Sequence, residues 1–288
     1  MLNLVSIGGN ALETSKTLKS VLNAIYFLSK QGNVIITHGN GPQVGELAGA
    51  ESLSLGLLTA QTQAQIGVML EEEIAKYLKS KSVHKQVEVV LTRVLVDPKD
   101  AAFKNPTKPI GKFYNAGQAR ALRSQFKIKK LINGYRRVVA SPKPMKVLNL
   151  GSIKALLKNR YIVIAGGGGG VPIVYRGGWY DFADAVLDKD YTSALLAKSL
   201  GADNMFILTA TDGAYINFGK KGAKKLLKVT TGELSRYVEQ GHFEEGSMKP
   251  KVEACIDFVR STGCMAAIGN LNRANQVVRL RNCTVVRP

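Results

Sequence analysis

The sequence predicts an α/β fold in which a mainly parallel sheet is covered by helices on both faces, a three-layer αβα sandwich. Short apolar runs alternate with stretches of helical periodicity along most of the chain. These runs are continuous rather than alternating, as expected of strands buried on both faces. Three of them end in glycine-rich turns, at Gly8-Gly9-Asn10, His38-Gly39-Asn40-Gly41 and Gly166 to Gly170.

Leu2 to Ile7 reads as the first strand. Leu18, Val21, Leu22, Ile25 and Leu28 then recur at helical spacing, and Gln31-Gly32-Asn33 ends that helix. Val34 to Thr37 is the second strand, and Pro42 beyond it suits the first turn of a helix. A longer helix carries Ile66, Met69, Leu70, Ile74, Tyr77 and Leu78 ahead of a strand at Val87 to Leu91. From residue 97 to about 146 the alternation breaks. Five of the nine prolines fall there, so the segment is expected to leave the sheet as a small inserted subdomain within one 288-residue domain. Excursions of this length often act as lids.

The alternation returns with a helix over Ser152 to Lys158, a strand over Tyr161 to Ala165 and a helix over Tyr191 to Leu200. Met205 to Leu208 is the next strand. Helices near Gly232 to Gln240 and Lys251 to Arg260 follow, and short apolar stretches at Met265 to Ile268 and Thr284 to Val286 complete the sheet.

Bulk composition narrows the function. No apolar run approaches the ~18 residues of a membrane span, and Leu2 to Ile7 is too short for a signal peptide. Three cysteines without C-x-x-C spacing and three histidines argue against disulfides, structural zinc and a histidine metal site. A soluble cytoplasmic protein is expected. The net charge is +19, but residues 99–160 alone hold 16 Lys or Arg against one acid. A basic lobe of that kind steers anions, whether small phosphates or nucleic acid. Phe103, Phe113, Tyr114, Phe126 and Tyr135 show no regular spacing within it, which disfavours a stacking platform for nucleic acid.

The chemistry is expected at the glycine turns. Glycine lets backbone N–H groups approach an anion, and such turns gather at the carboxyl ends of parallel strands. No G-x-x-x-x-G-K-[ST] is present, and the Gly39, Gly41, Gly45 variant of the dinucleotide fingerprint lacks its later acid. In Asp188-Lys189-Asp190, Asp190 is expected to cap the following helix, leaving Lys189 at a helix start, where a cation meets an anion rather than stabilising the helix. Lys251 follows Gly246-Ser247-Met248-Lys249-Pro250, and Lys108 is flanked by Pro106 and Pro109. Glycine cradles with several lysines suit phosphoryl transfer, in which positioning and charge neutralisation dominate.

GGNAL, THGNGPQVG, NPTKPIGKFY, GYRRVVASPKP, IVIAGGGGGVPIV, AVLDKDYTSALLA, NFGK and GSMKPKVEA together resemble the carbamate kinases of the amino-acid kinase superfamily. The resemblance spans essentially the whole chain. It implies a central eight-stranded sheet, a homodimer, and reversible transfer of a phosphoryl group from carbamoyl phosphate to ADP, in the ATP-forming direction, with Mg²⁺ accompanying the nucleotide. By position it implies Gly8, Gly9, Asn10, Gly39, Asn40 and Gly41 as the phosphoryl and carbamate cradle. Lys189 and Lys251 would stabilise the transferring group, Asp190 would orient both, and Lys108 would reach in from the lid. Thr209, Asp212 and Met248 would belong to the nucleotide site, and no protein metal ligand is named. Acetylglutamate, uridylate and isopentenyl phosphate kinases resemble the core without the lid motifs. Lys112, Gly166, Thr211 and Lys221 depart from the family's commoner residues.

Overall fold

A computed structural model describes the chain apart from residues 10–13, 51, 52 and 132, and apart from the side chain at position 50. Asn10 therefore lies outside the described residues. The central sheet has eight strands, in the order Lys228–Thr230, Cys283–Arg287, Met265–Asn270, Asn204–Thr209, Leu2–Ile7, Asn33–His38, Ile162–Ala165 and Val87–Val90. Neighbours run parallel except Met265–Asn270 with Cys283–Arg287.

Residue alternation along these strands explains why the apolar runs are unbroken. Leu4, Ile35, Val163 and Met205 enter a core on one face, beneath the helices Leu150–Lys158, Lys189–Leu200, Thr231–Glu239 and Met248–Thr262. Val5, Ile36, Ile164 and Phe206 enter a core on the other face, beneath Ser15–Ser29, Leu55–Ser80 and Ala274–Val277. The inner strands are sealed from water on both sides, so polar alternation has no place in them.

Register aligns the ends that matter. Ile7 pairs with His38 on one side and Leu208 on the other. Gly8 and Gly39 thus emerge at one level, and the Gly166 turn follows the next strand out.

Two larger further sheets, besides the two-stranded Tyr215–Ile216 with Lys224–Lys225, were not read from the sequence. Trp179–Phe182, Val171–Arg176, Arg93–Val96 and Pro144–Val147 form a four-stranded sheet. Lys108–Tyr114, Gly134–Val139 and Ile128–Leu131 form a three-stranded sheet inside the basic segment. That second sheet rests on the helix Gly41–Ala50 through a very close backbone approach. A Cβ on Gly45 would lie 2.0 Å from the Gly111 amide nitrogen, so the contact tolerates no side chain. Arg137 adds a hydrogen bond to the Ala48 carbonyl at 3.1 Å.

Two helix starts differ from expectation. Asp188, not Asp190, caps the helix Lys189–Leu200, its Oδ1 accepting from the Asp190 amide at 3.0 Å. Asp190 sits inside the first turn, which frees its carboxylate for other partners. The Met248–Thr262 helix begins three residues before Lys251 and accommodates Pro250 in its first turn, where a missing N–H costs nothing. No helix of the described residues is long and apolar enough to cross a membrane.

Candidate active site

At the carboxyl ends of the central strands lies a cavity walled by Gly39, Asn40, Gly41, Lys108, Gly168, Asp188, Lys189, Asp190, Gly246 and Lys251, among others. Three separate parts of the chain deliver its cations. Lys189 comes from the start of the Lys189–Leu200 helix, Lys251 from the first turn of the Met248–Thr262 helix, and Lys108 from the inserted sheet.

Asp190 organises two of them. Its Oδ1 accepts from Lys189 Nζ at 2.6 Å and its Oδ2 from Lys251 Nζ at 3.1 Å. Burial pushes the Asp190 carboxyl up, but the two ammonium groups outweigh it and hold the group well below the usual carboxylate range. Burial lowers Lys189, and Lys251 nearby lowers it further, with only part of this returned by Asp190. Burial also lowers Lys251, but Asp190 and Asp188 reverse the balance and raise it. The two lysines therefore share a counter-ion yet differ in ease of proton loss. Two cations with one buried carboxylate between them leave a surplus positive charge, suited to an incoming anion.

Asp188 has a second use besides capping. Its Oδ2 pairs with Lys108 Nζ, tying the inserted sheet to the helix start. Sequence reasoning overlooked Asp188 because Asp190, two residues on, looked like the cap. It also overlooked Ser6 and the Ser247 carbonyl, which accepts from Lys251 Nζ at 3.1 Å.

The glycine turns divide their work. Gly39 and Gly41 line the cavity, whereas Gly8 and Gly9 stand behind Gly39 and are not among its described walls. Of the five glycines at 166–170, only Gly168 reaches the cavity. It adopts φ +61°, and a Cβ there would strike the Asn40 amide nitrogen at 2.1 Å. That turn is shaped by close packing against Asn40. Asn40 is 6% exposed and donates to Thr62 Oγ1 at 2.8 Å, which fixes its amide. His38 lies below, 1% exposed, with no hydrogen-bond partner for Nε2 among the described residues. Burial brings its pKa down to about 4, and it is neutral at ordinary pH.

A second cavity is lined by Thr211, Gly213, Tyr215, Phe218, His242, Phe243, Glu244, Ser247 and Met248. The segment from Gly246 to Lys251 serves both cavities, so the two adjoin. Of the expected nucleotide residues, Met248 is in this wall. Asp212 instead bonds Tyr215 and Lys225, at 2.7 and 2.8 Å, and Thr209 lines neither cavity.

A glycine-rich cradle with converging lysines at the strand ends of an αβα sandwich defines a small-molecule phosphotransferase. The chain belongs to the amino acid kinase family, whose model matches residues 1–270. Its relatives place it more narrowly. It is 42% identical to the carbamate kinase of Staphylococcus haemolyticus over 89% of both chains. It is 37% identical to that of Thermoplasma acidophilum over 98% of both. A solved carbamate kinase from Giardia lamblia bound to AMP-PNP superposes with a TM-score of 0.86 at 34% identity, covering 99% of this chain and 98% of that one.

Proposed function

We propose that this protein is a carbamate kinase, passing a phosphoryl group between carbamoyl phosphate and ADP to give carbamate and ATP. One observation carries the proposal: Lys189 and Lys251 grip opposite oxygens of one buried carboxylate and face one cavity, beside a third lysine from the insertion. The Giardia enzyme's AMP-PNP and the carbamate kinase relatives supply the substrate class.

In the ATP-forming direction a β-phosphate oxygen of ADP attacks phosphorus, the bond from phosphorus to the carbamate oxygen breaks, and carbamate leaves with the electron pair. Lys189 and Lys251 neutralise charge on the transferring oxygens, and Asp190 keeps both ammonium groups in place without itself taking a proton. Gly39, Asn40 and Gly41 cradle the phosphoryl and carbamate groups, with Gly9 backing Gly39. Lys108 exchanges its Asp188 partner for the incoming anion, so the insertion works as a lid. ADP occupies the adjoining cavity, with Met248 in its wall. Nucleotide enters as its Mg²⁺ complex. Asp190 stays engaged by both lysines, so a Mg²⁺ entering with the nucleotide would be held chiefly by the phosphates.

The same reading includes a cytoplasmic homodimer. Leu57 and Val68 lie exposed on the Leu55–Ser80 helix, which packs against the 171–182 hairpin with its exposed Tyr175, Trp179, Tyr180 and Phe182. A homodimer interface would cover these exposed apolar side chains.

Purified protein given ADP, Mg²⁺ and carbamoyl phosphate should form ATP well above a Lys189→Ala control. Absence of that difference, or greater turnover with acetylglutamate, UMP or isopentenyl phosphate, would overturn the assignment.

A further inference from the structure

Ser6 lies at 0% exposure in the central strand Leu2–Ile7, on the face covered by the Lys189–Leu200 helix. A buried hydroxyl is costly unless hydrogen-bonded, and here both of its capacities are used by the cavity's charged groups. Ser6 Oγ accepts from Lys189 Nζ at 2.7 Å and donates to Asp190 Oδ1 at 3.1 Å.

An ammonium group has three donors and no acceptor. Ser6 and Asp190 occupy two of those on Lys189, leaving one for a ligand. The same count holds for Lys251, where Asp190 Oδ2 and the Ser247 carbonyl occupy two. The pair is thus built alike: one shared carboxylate and one neutral oxygen for each lysine.

We propose that Ser6 is a positioning residue for phosphoryl transfer, its hydroxyl fixing the Lys189 ammonium so that one N–H remains directed to the migrating phosphoryl group. The proposal rests on the carbamate kinase reading for the identity of that group. Without Ser6, Lys189 keeps only the adjacent Asp190 as partner and can rotate about that single contact. Preorganisation is lost where it counts most, in the transition state. The hydroxyl also accepts from the charged form of Lys189, so its removal makes that ammonium easier to deprotonate. The charged and titratable groups around Lys189 are Asp188 and Asp190 on its own helix, Lys251 on the neighbouring helix, Lys108 on the insertion and His38 on the adjacent strand.

The test compares Ser6→Ala and Ser6→Thr with the wild type in ATP formation from neutral to alkaline pH, with urea midpoints confirming that each is folded. Ser6→Ala should lower kcat about tenfold, the loss of one hydrogen bond to a charged group. KM for ADP should hold, the alkaline limb of the pH profile should move to lower pH, and Ser6→Thr should recover part of both. A folded Ser6→Ala with wild-type kcat, or with reduced kcat and an unmoved limb, would overturn the proposal. A second readout needs no substrate: the pH dependence of Lys189 acylation in the folded protein, followed on its peptide by mass spectrometry. An unshifted profile in Ser6→Ala removes the role assigned to Ser6. Failure of the wild type to make ATP removes the kinase reading instead and leaves the acylation result standing.

Discussion

Lys189 and Lys251 share Asp190, but they are not interchangeable, since burial lowers the first while the carboxylates raise the second. Replacing either with Ala should lower kcat by about 10²–10³, the scale for removing one preorganised charge donor. Steady-state kinetics with saturating ADP reads this directly. His38 makes a different prediction, one about stability. Its pKa falls from an unfolded value of 6.5 to about 4 because burial penalises the charged ring and Lys189 adds repulsion. The unfolded chain therefore binds a proton that the folded chain refuses. His38's contribution is intact above pH 6.5 and is lost as pH falls toward 4, amounting to about 3 kcal/mol. Urea midpoints measured through that window should fall steeply in the wild type and less so in His38→Gln, which carries no titrating ring.

At the scale of the element, the start of the Lys189–Leu200 helix does two jobs with one side chain. Asp188 caps the helix with Oδ1 and holds Lys108 with Oδ2. The two uses can be separated. Asp188→Ser retains a capping oxygen and should keep the unfolding free energy from urea titration within a few tenths of a kcal/mol, whereas Asp188→Ala loses about 1 kcal/mol. Both lose the tie to Lys108, so both should alter KM for carbamoyl phosphate to a similar degree. If only Asp188→Ala changed KM, the ion pair would have no part in positioning the insertion. The Asp188-Lys189-Asp190 run marked the place in the sequence, but not which acid caps. Either aspartate could serve, and the choice fell to the one whose neighbour could be used elsewhere, by Lys251 from 61 residues away.

Across the whole molecule, two surface features distinguish this chain. Val68, 52% exposed on the Leu55–Ser80 helix, and Trp179, 77% exposed on the hairpin, are apolar side chains that the proposed homodimer would cover. Sedimentation should give a dimer for the wild type and a monomer for Val68→Glu combined with Trp179→Lys, with circular dichroism unchanged. The other feature is charge. With 13 of the chain's 40 basic residues between 97 and 146, the insertion presents a positive field beside the cavity mouth. Raising salt from about 0.02 to 0.5 M shortens the Debye length several-fold, so kcat/KM for carbamoyl phosphate should fall while kcat changes less.

Much of this was legible in the sequence. The central strands and their helices were readable because burial on both faces forces unbroken apolar runs, and the three lysines stood out because each lies in an unusual local setting. The Val171–Arg176 and Arg93–Val96 strands were not, since four to six residues after a glycine turn or loop carry no distinguishing period. Ser6 looked like a neutral interruption of a strand. The sequence by itself determined the layers, the glycine ends and the supply of cations, all properties of local pattern. Only the tertiary structure decided which charges meet. Hydrogen bonds from Lys189 to Ser6 and from Lys251 to Asp190 depend on register and helix placement over long chain separations, and no local pattern encodes them.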